Sequence, residues 1–259
     1  MSASSFALAF AAAHETYRKQ CEGAAQFLYA YFAVRALATR NEAVLASLNR
    51  AARYWTTSDF ALLSAGIIEL GKIFDRRRDG HNVYYVLDYA ADNIGVFSKE
   101  AFAERRRGGA EIAPDRLNES IEEAFEPTRD DFRAIRTIID EQRSIYNDRY
   151  KPLRDEFFAH TPKILETSLQ ERLDDTGVDE LQRMVSLLVA LSDALRDTFC
   201  HGAKLILRPH EHSVVALLDD PANYSSIMAR TVRDTERVLY QLADLPEPSH
   251  TRVVTERHR

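Results

Sequence analysis

Cysteine is nearly absent. Cys21 and Cys200 are the only two in 259 residues, which excludes a disulfide framework and a cysteine-rich zinc site. Glycine and proline are scarce too, at nine and eight, too few for a loop-rich β protein and suited to helices. No apolar run approaches the roughly 20 residues of a membrane span. The Ala-rich start, Phe6 to Ala13, lacks the basic leader and long apolar segment of a signal peptide. The expectation is a cytoplasmic protein with no membrane partner. Positive charge does not prevail either: the formal net charge is −6, which excludes the broadly basic surface that coats nucleic acid without selectivity. A local basic cleft stays open.

What is present is ordinary for a globular chain, 45% hydrophobic and 29% charged residues. Arg far outnumbers Lys, so basic patches favour planar, bidentate partners such as phosphate. The length allows one large domain or two small ones with a substantial core. The simplest account is a single α-helical domain over residues 1–245, then a flexible, charged tail over 246–259.

Apolar residues recur at three and four from Phe6 to about Ala38, predicting one amphipathic helix, or two broken near Gly23. A short helix restarts at Asn41. Thr57 opens a strongly apolar run through Leu63, Ile67, Leu70 and Phe74, with Ser58 or Asp59 as its cap. Another helix spans Asn82 to about Asn93. Ser98 to Arg107 reads as a charged stretch ending in an exposed loop, and Pro114 to Phe125 as a short acidic helix. Thr128 caps a long helix, with Asp130 and Asp131 complementing its dipole. Its stripe is Phe132, Ile135, Ile139, Tyr146, Tyr150, Leu153 and Phe157. Pro152 should kink it or begin a fresh segment just before Arg154. A linker follows, then a Leu/Val-rich helix from Val178 to about Cys200. Lys204 to Leu218 is the one stretch suited to a short strand pair, and Pro221 to Leu245 is a last helix. The class is all-α, a multi-helix up-and-down bundle.

Chemistry concentrates at Tyr150-Lys-Pro-Leu-Arg-Asp-Glu-Phe-Phe-Ala-His-Thr161. An Arg and a His together can cleave RNA without a metal. The imidazole takes a proton from the ribose 2′-OH or gives one to the leaving oxygen. The guanidinium holds the phosphate and stabilises charge in the pentavalent transition state. Asp155 is placed to orient a side chain or hold a water. Spacing alone does not select the pair, because Arg76…His81, Arg196…His201 and Arg252…His258 fit the same loose pattern. Context separates them. Arg252…His258 lies in the tail, and Arg76…His81 crosses a glycine turn. Arg196…His201 sits within a helix and is the serious rival. On an ideal helix Arg154 and His160 lie about 120° apart, flanking an apolar ridge of Leu153, Phe157 and Phe158. Flanking groups of that kind converge when two ridges meet across a two-fold axis, which predicts a homodimer.

The segment Leu153-Arg-Asp-Glu-Phe-Phe-Ala-His160, closing a long helix in an all-α chain, resembles the signature of the HEPN superfamily. More narrowly it is similar to the abortive-infection (AbiU-type) subgroup. The run from Leu62 to Asp75, with its Ile-Phe-Asp ending, resembles that subgroup too, and the likeness covers roughly Phe27 to His160. The resemblance implies a HEPN-like bundle that dimerises around a metal-independent ribonuclease site. Arg154 and His160 would be the Arg and His of the motif, and Asp155 the polar residue after the Arg. It also implies RNA as substrate, a role in phage defence or a toxin system, and an antitoxin or regulatory protein as partner. Glu156 departs from the pattern, standing where a basic residue is expected and weakening the local positive field. The alternative is a catalytically inactive module of the same fold that binds a nucleotide or a protein. RNA contacts are expected from Arg149 and Lys151 and from Arg76, Arg77 and Arg78. His210 and His212 alternate as a chelating pair would, but no third ligand accompanies them. No metal and no cofactor is assigned.

Overall fold

A computed structural model describes residues 3–76, 82–107, 114–155, 177–220 and 222–246. Among them the regular structure is helical, so the all-α expectation holds. The helices are α1 (Ala3–Arg40), α2 (Glu42–Arg50), α3 (Ala52–Ile73), α4 (Val83–Asp92), α5 (Lys99–Arg107), α6 (Pro114–Glu122) and α7 (Arg129–Ile145). A π-helical segment (Tyr146–Tyr150) then leads into the single turn α8 (Lys151–Leu153). After it come α9 (Val178–His201), α10 (Val214–Asp219) and α11 (Ile227–Leu242). None of the described helices is long and apolar enough to cross a membrane.

These residues cluster into two compact units, with the boundaries falling inside α1, α3 and α9. The first takes in α1 up to Cys21, the chain from Ile68 through α8, and Leu187–Pro209. Its core is aromatic. The Phe10 ring lies 5.0 Å from Phe97 and 4.9 Å from Phe199, and Phe97 lies 5.6 Å from Phe132. α4 starts where the Asn82 side chain accepts the Tyr85 N–H. α7 starts with a full capping box: the Thr128 hydroxyl accepts from the Asp131 N–H while the Asp131 carboxylate accepts from the Thr128 N–H. Two donors with no partner inside the helix are thereby satisfied. α9 ends at Gly202, whose φ of +64° is the left-handed conformation that closes a helix. A Cβ there would lie 2.7 Å from that of Ala124.

The second unit holds the rest of α1, α2, α3 up to Ile67, the start of α9, and α10 and α11. Leu28, Tyr29, Phe32, Val44, Leu63 and Ile67 are buried within it. Tyr29 donates its hydroxyl proton to the His212 carbonyl at 2.8 Å. Gln182 accepts the Val214 N–H at 2.6 Å, supplementing the Ser213 cap of α10. Arg233, 1% exposed, donates to the carbonyls of Leu217, Leu218 and Asp220 and to the Glu236 carboxylate. That guanidinium closes the C-terminal end of α10, where carbonyls lack intrahelical donors.

Of the two forms expected for the first helix, the single one holds: α1 runs unbroken through Gly23, where an added Cβ would meet nothing within 4 Å. Several other expectations are corrected. α3 begins at Ala52, not at Ser58 or Asp59. The Thr57 and Ser58 hydroxyls bond back to the Arg53 and Tyr54 carbonyls, the alternative such residues take inside a helix. The Ser98–Arg107 stretch is helical from Lys99. Its Arg105 is no loop residue: it donates to the Val96 and Phe199 carbonyls and lies 4.1 Å over the Phe199 ring. The strand pair expected near 204–218 does not form. Residues 203–212 carry no ladder, and Ser213 caps a helix instead. The last helix starts at Ile227, where the Ser226 hydroxyl accepts the Ala229 N–H, not at Pro221.

Candidate functional site

The site grows out of the end of α7. Phe132, Ile135 and Ile139 line its buried face, and Tyr146, Tyr150 and Leu153 continue that face through the π segment and α8. π-helical insertions are uncommon and gather at functional positions. Leu153 is 3% exposed. It therefore belongs to the core of its own chain, correcting the expectation that it forms an exposed ridge. Phe157 and Phe158 of that ridge lie outside the described residues.

Arg154 follows immediately, its side chain 29% exposed. Its Nε donates to Asp155 Oδ1 at 2.8 Å, and Nη2 lies 2.7 Å from the same oxygen. The guanidinium also hydrogen-bonds the Tyr146 hydroxyl. Partial burial works to lower the Arg154 pKa, but Asp155 and Tyr146 outweigh it and the net direction is upward. The group stays cationic under all working conditions. Burial pushes Tyr146 up to about 12, against the pull of the Arg154 charge. Both groups rest against Gly71 of α3. A Cβ on Gly71 would lie 2.5 Å from Tyr146 Oη and 2.6 Å from Arg154 Nη1. Nearby, Arg143 Nε donates to the Phe74 carbonyl just past the end of α3, at 3.2 Å.

Of the residues the sequence singles out, Arg154 and Asp155 are brought together. Arg149 and Lys151 are exposed on the π segment and the first residue of α8. Arg76 has other company. It pairs with Asp140, lies 4.8 Å over the Tyr84 ring, and shares Asp140 with the Tyr84 hydroxyl, which donates at 2.7 Å. His160, Arg77 and Arg78 lie outside the described residues. In the rival segment Arg196 pairs with Asp193 and Asp197 on its own helix. Five residues apart on α9, Arg196 and His201 point about 140° away from each other. His210 and His212 lend their backbone carbonyls to Ser186 and Tyr29. Tyr146 and Gly71 are the members of the cluster that sequence reasoning missed. The available signal was a glycine placed inside a helix without a turn to explain it.

A cation fixed by a neighbouring carboxylate and a buried phenol, at an irregular helix end, belongs here to an all-α helical protein. The particular family follows from comparison: the HEPN model described as AbiU2 matches residues 8–199, and the chain belongs to that family. The match takes in Arg154, Asp155 and His160 and stops short of His201. No curated protein and no solved structure matches the chain.

Proposed function

We propose that this protein is a metal-independent endoribonuclease acting in phage defence. The observation that carries the reading is Arg154, a half-buried, permanently cationic guanidinium fixed by Asp155 and Tyr146 within the matched stretch. Fixed donors aimed at developing negative charge are worth far more than mobile ones, because they need no reorganisation as the reaction proceeds. Arg154 binds the scissile phosphate, and Asp155 holds the guanidinium in plane. His160 transfers the proton, because an imidazole exchanges protons near neutral pH while Arg and Asp do not. The ribose 2′-oxygen attacks phosphorus as its proton is removed, the P–O5′ bond breaks, O5′ takes a proton and leaves as a 5′-hydroxyl, and a 2′,3′-cyclic phosphate results. Two copies of the chain join to complete the site, Arg149 and Lys151 guide the strand, and a regulatory protein restrains the enzyme in the cytoplasm.

One observation favours the alternative of a non-cutting HEPN module that binds a nucleotide or a protein. Asp155 already occupies one edge of the Arg154 guanidinium and neutralises part of its charge. Incubating the purified protein with total RNA in EDTA divides the two. Cleavage with cyclic phosphate ends is the expected result. RNA left intact, with binding retained, turns the assignment to the binding module.

A further inference from the structure

Gly71 has no backbone reason to be glycine. It lies within α3, two residues before its end, and its φ is not positive. Glycine in a helix interior is less favourable than alanine. Close approach by another group is the remaining explanation, and the geometry supplies it. The missing Cβ would sit 2.5 Å from Tyr146 Oη, 2.6 Å from Arg154 Nη1 and 3.3 Å from Arg154 Cδ, the first two inside the distance real Cβ atoms tolerate. Gly66 on the same helix makes room for the apolar Leu28 side chain instead. The approach at Gly71 is polar, and both atoms belong to the candidate site.

The π segment accounts for how Tyr146 and Arg154 come to one notch. Residues eight apart on a regular α-helix point about 80° apart. A π insertion absorbs one extra residue, so the same pair behaves as if seven apart and points within about 20° of alignment. Tyr146 is anchored in turn by rings on both sides, Phe74 at 5.5 Å and Tyr150 at 6.4 Å. We infer that Gly71 and Tyr146 form a seat that fixes the Arg154 guanidinium, and that both are positioning residues for the phosphate-binding step. The notch on α3 sets where the guanidinium lies, and the phenol oxygen sets its rotation. The inference rests on the ribonuclease reading for its function, but the seat itself can be observed without catalysis.

The test uses the full chain and four variants: Gly71→Ala, Tyr146→Phe, Arg154→Lys and Gly23→Ala. The last is a control, because a Cβ at Gly23 meets nothing within 4 Å. In the wild-type protein labelled with 15N, a held guanidinium gives a slowly exchanging Nε–H resonance, assigned by its disappearance in Arg154→Lys. Gly71→Ala and Tyr146→Phe should each broaden or lose it, while Gly23→Ala keeps it. In parallel, kcat on single-stranded RNA should fall about 100-fold in Gly71→Ala, the size of effect a misplaced group produces. Tyr146→Phe should lose about tenfold, with KM moving less than about threefold in either. Should Gly71→Ala fail to fold, Tyr146→Phe decides, since it keeps the ring in its aromatic contacts. A missing Arg154 resonance in the wild type, or an unchanged one in the variants, overturns the seat. A changed resonance with unchanged kcat overturns its positioning role. RNA left uncut by the wild type defeats the ribonuclease reading, and the seat then stands or falls on the resonance alone.

Discussion

Replacing Arg154 by alanine should separate activity from folding. The Arg154–Asp155 pair has side chains 29% and 49% exposed, so its loss costs under about 1 kcal/mol after solvent screening. Losing the bond to the buried Tyr146 hydroxyl adds about 1 kcal/mol for a polar group left without that partner. The fold should therefore weaken by roughly 2 kcal/mol, within the ordinary range for a single substitution. Catalysis loses far more. Removing one fixed donor from a charge-stabilising site lowers kcat by about 100- to 1,000-fold. The assay pairs urea unfolding with initial rates on a fluorogenic RNA in EDTA, run beside Arg196→Ala. Arg196 pairs with Asp193 and Asp197 on the exposed face of its own helix, and its removal should leave both rate and stability nearly unchanged. Arg154→Ala cutting RNA within tenfold of the wild type would refute the placement of phosphate at this guanidinium. So would a loss of activity in Arg196→Ala that melts normally, by moving the site to α9.

Three further outcomes are expected. His160→Ala should slow cleavage by about two to four orders of magnitude, the usual contribution of general acid–base catalysis; products with free 3′-hydroxyls, or a requirement for Mg²⁺, would contradict that chemistry. His14 is buried with Nε2 2.8 Å from the Ser192 carbonyl, and burial first, then Arg196 and Arg18, hold its pKa below the ordinary value despite Ser192 and Glu15. The unfolded chain thus binds more protons just below pH ~6.5, and the stability His14 contributes above that pH is lost as pH falls through it. Urea melts between pH 7 and 5 should show a shallower decline in His14→Gln. Arg233→Ala should destabilise the protein by about 3–5 kcal/mol, because it breaks a buried ion pair with Glu236 and removes the donor to the Leu217, Leu218 and Asp220 carbonyls; a melt within 1 kcal/mol of wild type would show that water replaces the guanidinium.

Local signals in the sequence were readable where one element ends and another begins. Asn41, Asn82 and Thr128 each mark a helix start because a side-chain oxygen satisfies an N–H two or three residues on. Thr57 and Ser58 misled, since the same hydroxyls can bond backward inside a helix. Long-range partners were not readable at all. Arg105 looked like loop charge because one of its partners, the Phe199 carbonyl, lies 94 positions away. Within the candidate site, Arg154 and Asp155 were singled out by the motif. Tyr146 and Gly71 were hidden because their proximity to Arg154 depends on a π insertion that apolar spacing does not announce.

The excess of arginine over lysine at first suggests phosphate recognition, yet several guanidiniums are spent elsewhere. Arg105 donates to the Val96 and Phe199 carbonyls, and Arg143 to Phe74. Arg50 donates to Leu242, and Arg233 to Leu217, Leu218 and Asp220. Each of these carbonyls lies within or close beside the last turn of a helical segment, where acceptors outnumber donors. A planar fork with five N–H groups can bridge two or three of them; an ammonium offers three donors from one point. Lysine is thus a poor replacement for Arg105 and Arg233, which bridge more than one carbonyl each, even though charge is preserved. Under the proposed ribonuclease reading, any RNA-contacting surface would be drawn from the guanidiniums that remain once these helix-closing ones are set aside.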